Sequence, residues 1–355
     1  MTEDQTGWTG GQWSLLRFVL GMAIATQQVT VAAAGESTVS WVAVGAALAL
    51  AVGWRTQWAG VALFLIAGLF LDDAARFPSF VIGLAFGMAT DAPYGSFDAR
   101  GRADPGGNWV PGSLVAKYAW LIVAVVAAVS GIHLALSSSR LDAVLGLAQA
   151  LGAVVAIAGG PRLSTWAALT VLFLGSLMMA ADLPLDFRML ASHALAFRPA
   201  WVPAVRTNTP LVLFYDGACG FCHRTVRFLL SEDRAEAVHF APLFGPTFDA
   251  RVPPDVRATL PDSLVLLTAD GSVLVRSRGL IVTARALGGL WRAGAEVLSL
   301  LPPVLLDAAY DRFARIRRRL FAQPEGTCPL IPPSLRGRFP DLATERGEVG
   351  LDGGA

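Results

Sequence analysis

Residues Leu211–Leu230 read LVLFYDGACGFCHRTVRFLL. The run Leu211–Tyr215 predicts a short buried strand, Asp216-Gly217 a turn, and the recurrence of Cys222, Val226, Leu229 and Leu230 one face of a helix. Cys219 and Cys222 stand three apart where strand gives way to helix. Unpaired N–H groups at a helix start stabilise negative charge, lowering a thiol's pKa below its usual value of about 8.5. Cys219 is therefore the candidate nucleophile: it attacks a disulfide, and Cys222, one turn along, resolves the mixed disulfide. The reverse run oxidises a dithiol. Asp216 is a candidate helix cap or proton acceptor. Gly217 and Gly220 permit the tight turn. His223 is either a thiolate partner or an ordinary helix-surface residue.

Downstream, Val238–Leu243 predicts a second strand, residues 252–260 a loop with a short helix, and Ser263–Thr268 a third strand. Ala269-Asp270-Gly271 turns into a fourth strand over Ser272–Ser277. Gly279–Leu290 and Ala293–Phe321 predict helices, the second broken by Pro302-Pro303. Strand, helix, strand, then a hairpin and helix is the order of an α/β thioredoxin-like domain, expected over residues 210–340, with residues 341–355 a disordered tail.

The chain has three cysteines, all beyond residue 218, too few for a disulfide framework. Besides a redox dithiol, two readings of the pair stay open. A zinc site would draw on Cys219, Cys222, Cys328 and either His223 or His239, without the usual second close pair. The domain would then be a non-enzymatic module binding metal or a partner protein. The other reading is an inert structural pair. Cys328 is a packed small residue or an auxiliary thiol.

Before residue 188 the character changes. The 355-residue chain is 54% hydrophobic and only 15% charged, with a mean hydropathy of +0.54, against roughly 25% charged for soluble domains. Much of it is expected in lipid. A net charge of +1 leaves no basic stripe for nucleic acid. The acidic start MTEDQTGWTGGQW has no basic n-region, so no cleavable signal peptide is expected. Residues 1–187 predict a multi-pass α-helical membrane domain of about six spans: Ser14–Ala34, Thr38–Trp54, Gln57–Leu71, Leu114–Leu136, Leu141–Ala158 and Leu163–Ala181. Phe80–Thr90 is about half the roughly 20 residues a span needs and reads as re-entrant or interfacial. Asp91–Gly112 is a loop, and residues 188–209 a linker. Trp41, Trp54, Trp58, Trp109, Trp120 and Trp166 are placed for interfacial belts. Loop arginines are nearly balanced, slightly favouring termini outside. Arg188, Arg198 and Arg206, with the basic amphipathic stretch Asp311–Phe321, favour the cytoplasmic leaflet. The expected protein is multi-pass with a cytoplasmic C-terminal domain. Its expected partners are the bilayer and a protein or small-molecule disulfide or dithiol. No cofactor is expected beyond the dithiol, with a quinone-like lipid-soluble carrier as a candidate.

The pattern Tyr215-Asp216-Gly217-Ala218-Cys219-Gly220-Phe221-Cys222 continues in Arg227-Phe228-Leu229-Leu230, His239-Phe240-Ala241-Pro242-Leu243, Asp262-Ser263-Leu264 and Val275-Arg276-Ser277. Together these stretches resemble the DCC family of thiol-disulfide oxidoreductases. The resemblance implies a thioredoxin-like fold and dithiol chemistry, with Asp216, Cys219 and Cys222 as signature residues. Ser263 lies where thioredoxins carry a substrate-binding cis-proline, a departure that bears on any polypeptide groove. The membrane half resembles, more loosely, the transmembrane domain of vitamin K-dependent carboxylase-like proteins. The similar stretches are Trp13-Ser14-Leu15-Leu16-Arg17-Phe18, Ser130-Gly131-Ile132-His133-Leu134 and residues 193–201. His133 stands where those proteins carry a lysine. It is the one candidate base for a carboxylase-like activity, with an interfacial structural role as the alternative.

Overall fold

The computed structural model describes residues 6–35, 38–71, 76–89, 93–100, 109–136, 140–179, 193–207, 209–216, 220–261, 263–320 and 333–342. The chain divides into two compact units between Trp201 and Val202.

The first unit is helical, with α1 (Gly10–Ala33), α2 (Val39–Val52), α3 (Thr56–Phe70), α4 (Arg76–Gly87), α5 (Ser113–Ala135), α6 (Arg140–Gly159) and α7 (Leu163–Met179). At 1.5 Å per residue, α1 and α6 extend about 36 and 30 Å. Both are long and apolar enough to cross a bilayer. The 14-residue α2 and 15-residue α3 reach only about 21 and 22 Å. The short apolar stretch expected from Phe80 is α4, which already starts at Arg76.

Neighbouring helices meet through small residues. A Cβ on Gly131 of α5 would lie 2.7 Å from Ala150 N, and one on Gly146 of α6 2.4 Å from Ala135 N. The buried Gln149 amide donates to Ser130 Oγ across this seam at 2.7 Å. The Ser130-Gly131 element therefore has a packing role. The His133 side chain lies outside the described residues.

Trp41, Trp54 and Trp58 are more than half exposed. Trp120 and Trp166 are not belt residues: their indoles donate inward, to Ala156 O at 3.1 Å and His193 O at 2.8 Å. With Trp8, Phe197 and Trp201 they form an aromatic cluster, ring centroids 5.1 to 6.4 Å apart. That cluster draws residues 193–201, expected as linker, into the first unit.

The second unit contains β1 (Leu211–Tyr215), α8 (Gly220–Glu232), β2 (Val238–Pro242), α9 (Pro246–Arg251), α10 (Pro254–Ala258), β3 (Val265–Leu267), β4 (Val273–Val275), α11 (Arg276–Leu287), α12 (Gly289–Leu298) and α13 (Pro303–Leu320). The strands form a mixed sheet in the order β2-β1-β3-β4. β1 runs parallel to β2, with Leu211 opposite Val238 and Tyr215 opposite Pro242, and antiparallel to β3. β3 and β4 form the expected hairpin. Both faces of β1 are covered, so Leu211–Phe214 are all buried rather than alternating. Leu211, Leu213, Val238, Phe240 and Leu266 pack against Val226, Leu229 and Leu230 of α8. Val212, Phe214, Ala241 and Val265 pack against Phe248 and Val252 on the other face.

β4 is shorter than its sequence pattern suggests, because Ser277 is already helical. Its N–H and Oγ both bond the Asp307 carboxylate of α13, which turns the chain from strand into α11. A short 3-10 turn, Pro333–Arg338, closes the unit, with Leu335 and Phe339 in the α8-side core.

Candidate functional site

β1 ends at Tyr215 and α8 begins at Gly220, so residues 216–219 cross from sheet to helix. Cys222 is placed by its backbone in the first turn of α8, and its side chain lies outside the described residues. Cys219 also lies outside them, between Asp216 and Gly220. Asp216 is described: it is half-buried at the C-terminal end of β1.

Asp216 lines a cavity of about 700 Å³ in the second unit. The walls are mostly apolar, from Leu213, Leu243, Phe248, Leu264, Leu298 and Phe313, with Arg257, Ser263 and Tyr310 as polar points among them. An apolar enclosure of a few hundred cubic ångströms with a few polar groups is the usual form of a small-molecule site. The end of β1, Leu213 to Asp216, forms one wall and Leu306, Tyr310 and Phe313 of α13 another.

Ser263 lines the same cavity just before β3, and its hydroxyl donates to Leu264 O at 3.1 Å. The Leu264 N–H donates to Tyr310 Oη at 2.8 Å. This amide is already committed within the domain, so it is not open to main-chain pairing with an extended peptide. The sequence reading did not single out Tyr310. Its role depends on a contact across 46 residues, for which the local pattern of α13 carries no signal.

The two histidines considered as zinc ligands are placed differently. The His223 ring lies edge-on to Tyr215, 6.3 Å between centroids, beside the cysteine turn. His239 pairs with Val212, three residue pairs from the Tyr215 end of the sheet, about 10 Å along the strand. Burial, reinforced by the Arg338 charge, lowers the pKa of its imidazole. His239 therefore belongs to the end of the sheet away from the cysteines. Among the described residues no group of three His, Cys, Asp or Glu side chains is placed to hold a metal ion. Cys328, like Cys219, lies outside them.

Residues 213–323, from β1 to just beyond α13, match the family described as DCC1-like thiol-disulfide oxidoreductase. The uncharacterized protein YuxK of Bacillus subtilis (strain 168) is 30% identical over 132 residues, covering 36% of this chain and 92% of that protein. No solved structure matches the chain significantly. With a relative aligned over nearly its whole length and the family pattern running through the cysteine turn, the chain belongs, by its second unit, to the DCC1-like thiol-disulfide oxidoreductases.

Proposed function

We propose that the second unit exchanges dithiol and disulfide through Cys219 and Cys222. The observation that carries this reading is the junction itself, where β1 stops at Tyr215 and α8 starts at Gly220. Cys219 immediately precedes that helix start in sequence, and the unpaired N–H groups of a first helical turn favour a thiolate beside them. The thiolate attacks one sulfur of a substrate disulfide; that S–S bond breaks, and the departing sulfur takes a proton. Cys222 attacks Cys219, expels the second substrate thiol and leaves a Cys219–Cys222 disulfide, so the substrate is reduced as the domain is oxidised. Asp216, at the strand end, caps α8 or accepts the Cys222 proton. The mixed sheet order β2-β1-β3-β4 supports a thioredoxin-like fold. The apolar cavity and the committed Leu264 amide favour a compact apolar partner over an extended polypeptide.

The test is thiol-disulfide exchange with the full chain. Cys219→Ser should abolish it, and Cys222→Ser should accumulate mixed disulfides on a non-reducing gel. Full activity in the Cys219 variant would sink the reading.

We infer further that the first unit is an integral membrane domain of about six passes, with the thiol domain on the cytoplasmic side. α1 and α6 support this by length and apolarity. So does the row Val144, Leu147, Leu151, Val154 and Val155 of α6, every one more than half exposed. Resistance to alkaline carbonate extraction tests the integration. Protease access to the second unit in right-side-out against inverted vesicles tests the side. A lipid-dissolved two-electron carrier of quinone type, in its reduced quinol form, is the co-substrate such a location would supply: it gives two electrons and two protons to the Cys219–Cys222 disulfide, restores the dithiol and leaves as quinone.

A further inference from the structure

Between α12 and α13 the chain reads Glu296-Val-Leu-Ser-Leu-Leu-Pro-Pro-Val-Leu305, and all ten residues are exposed. Val297, Leu300, Val304 and Leu305 are 66, 83, 78 and 61% exposed. The helix axis turns by 117° here, because Pro302 and Pro303 cannot continue the hydrogen-bond pattern of α12. The last carbonyls of α12 are nonetheless satisfied: Ser299, Leu300 and Leu301 N–H donate to Ala295, Val297 and Leu298 O. The apex thus presents hydrocarbon with its backbone bonds largely closed, the condition for entering lipid. Contiguous exposed apolar surface of this kind marks a contact site rather than ordinary solvent-facing surface.

The charges beside the apex indicate which contact. Glu296 is held by Arg285 at 2.7 Å and lies 3.6 Å from Arg292, and Asp311 is held by Arg276 at 2.9 Å. Glu296 and Asp311 are therefore balanced by arginines and Asp307 is turned inward onto Ser277, whereas Arg312 and Arg315 are exposed on α13 and the sequence continues with Arg317, Arg318 and Arg319. An apolar tip with a cationic shoulder complements an anionic phospholipid surface. We propose that the α12–α13 apex inserts into the interfacial layer of an anionic bilayer and docks the thiol domain on the membrane. The proposal rests on the reading of the first unit as a lipid-embedded domain. Leu298, Leu306 and Phe313 of the same two helices also line the cavity beside Asp216. Docking therefore sets the cavity next to lipid, where apolar substrates concentrate.

The full chain in nanodiscs of phosphatidylcholine and phosphatidylglycerol tests this. The photoreactive residue p-benzoylphenylalanine is installed in turn at Leu300, at Val304, at Leu151 of α6 and at Asp270 in the β3–β4 turn. Phospholipid adducts are expected at 300, 304 and 151 and not at 270. Arg312→Glu with Arg315→Glu should lower the adduct yield at 300 by about tenfold or more, since each basic residue at an anionic surface contributes roughly a fivefold preference. All these positions are exposed, so folding is preserved. Adducts at 300 to the first unit, to a second copy or to nothing, while 151 still takes lipid, would overturn the docking alone. Absence of lipid at 151 would overturn the membrane reading, and the docking with it.

Discussion

Arg338→Met should cost the thiol domain about a fifth or more of its stability. Arg338 is 3% exposed and lies within the shell that closes over β2. Its Nη2 donates to Asp233 Oδ2 at 2.5 Å and to Val238 O at 2.7 Å, and its Nε reaches Val238 O at 3.1 Å. Asp233 joins α8 to β2 and also accepts the N–H groups of Ala237 at 3.1 Å and Val238 at 2.8 Å. Methionine fills most of the arginine's volume, so the cavity term is small. What remains is a buried carboxylate stripped of its cation, a loss of about 3–5 kcal/mol from a total of roughly 5–15 kcal/mol for a domain. With an m-value of about 2 kcal/mol/M in urea, the unfolding midpoint should fall by about 2 M. Pulse proteolysis of the second unit in the detergent-solubilised full chain measures it. Adding Asp233→Leu removes the orphaned charge and should recover part of the loss. A shift below about 0.5 M for Arg338→Met, or a double variant as unstable as the sum of the singles, would refute the reasoning. Arg338 also lies beyond the residues that match the family, 213–323, so a large effect would place the domain's physical boundary past that match.

Three further outcomes follow from the same contacts. The His239 imidazole has its pKa lowered by burial and by Arg338; the unfolded chain therefore binds protons more readily, and stability should fall as pH drops through about 6.5, with His239→Gln flattening that limb. Urea midpoints at pH 7.5 and 5.5 show it. Tyr310→Phe removes the acceptor of the Leu264 N–H and should cost about 1–2 kcal/mol, with faster amide exchange at Leu264 by hydrogen-deuterium mass spectrometry. Gly146→Leu drives a side chain into the α5 backbone, 2.4 Å from Ala135 N at the Cβ alone; a loss of about 1–3 kcal/mol or more is expected, read as a lower thermal transition of the solubilised chain.

The strands were legible because each carries a run of apolar or β-branched residues bounded by turn formers, and a sheet needs little more. The bend at Pro302-Pro303 was equally readable, since proline acts locally. The start of α11 was not. Val275-Arg276-Ser277 continues a strand pattern in sequence, and the Asp307 carboxylate, thirty residues away, holds Ser277 in the first turn of α11. α9 was missed for a related reason: Pro246 opens it, but six residues are too few for a period to show. In the first unit, tryptophans near helix ends read as interfacial, yet an indole N–H can be satisfied by a buried carbonyl as well as by water. Trp120 found Ala156 O.

The amphipathic pattern of α13 shows why a face can be read where its partner cannot. Phe313, Ile316 and the arginines between them suggested one apolar stripe meeting one membrane surface. The folded helix divides that stripe: Phe313, together with Leu306 and Tyr310 before it, lines the cavity beside Asp216, while Ile316, like Val304 and Leu305 before the stripe, remains exposed. Periodicity reports which residues leave water and is silent on whether they meet a substrate cavity or a lipid surface. Here both destinations draw on one helix, because Asp307 and Asp311 fasten it to Ser277 and Arg276 at the start of α11. Whatever shifts α13 at a membrane surface must therefore also shift the wall of the cavity beside Asp216.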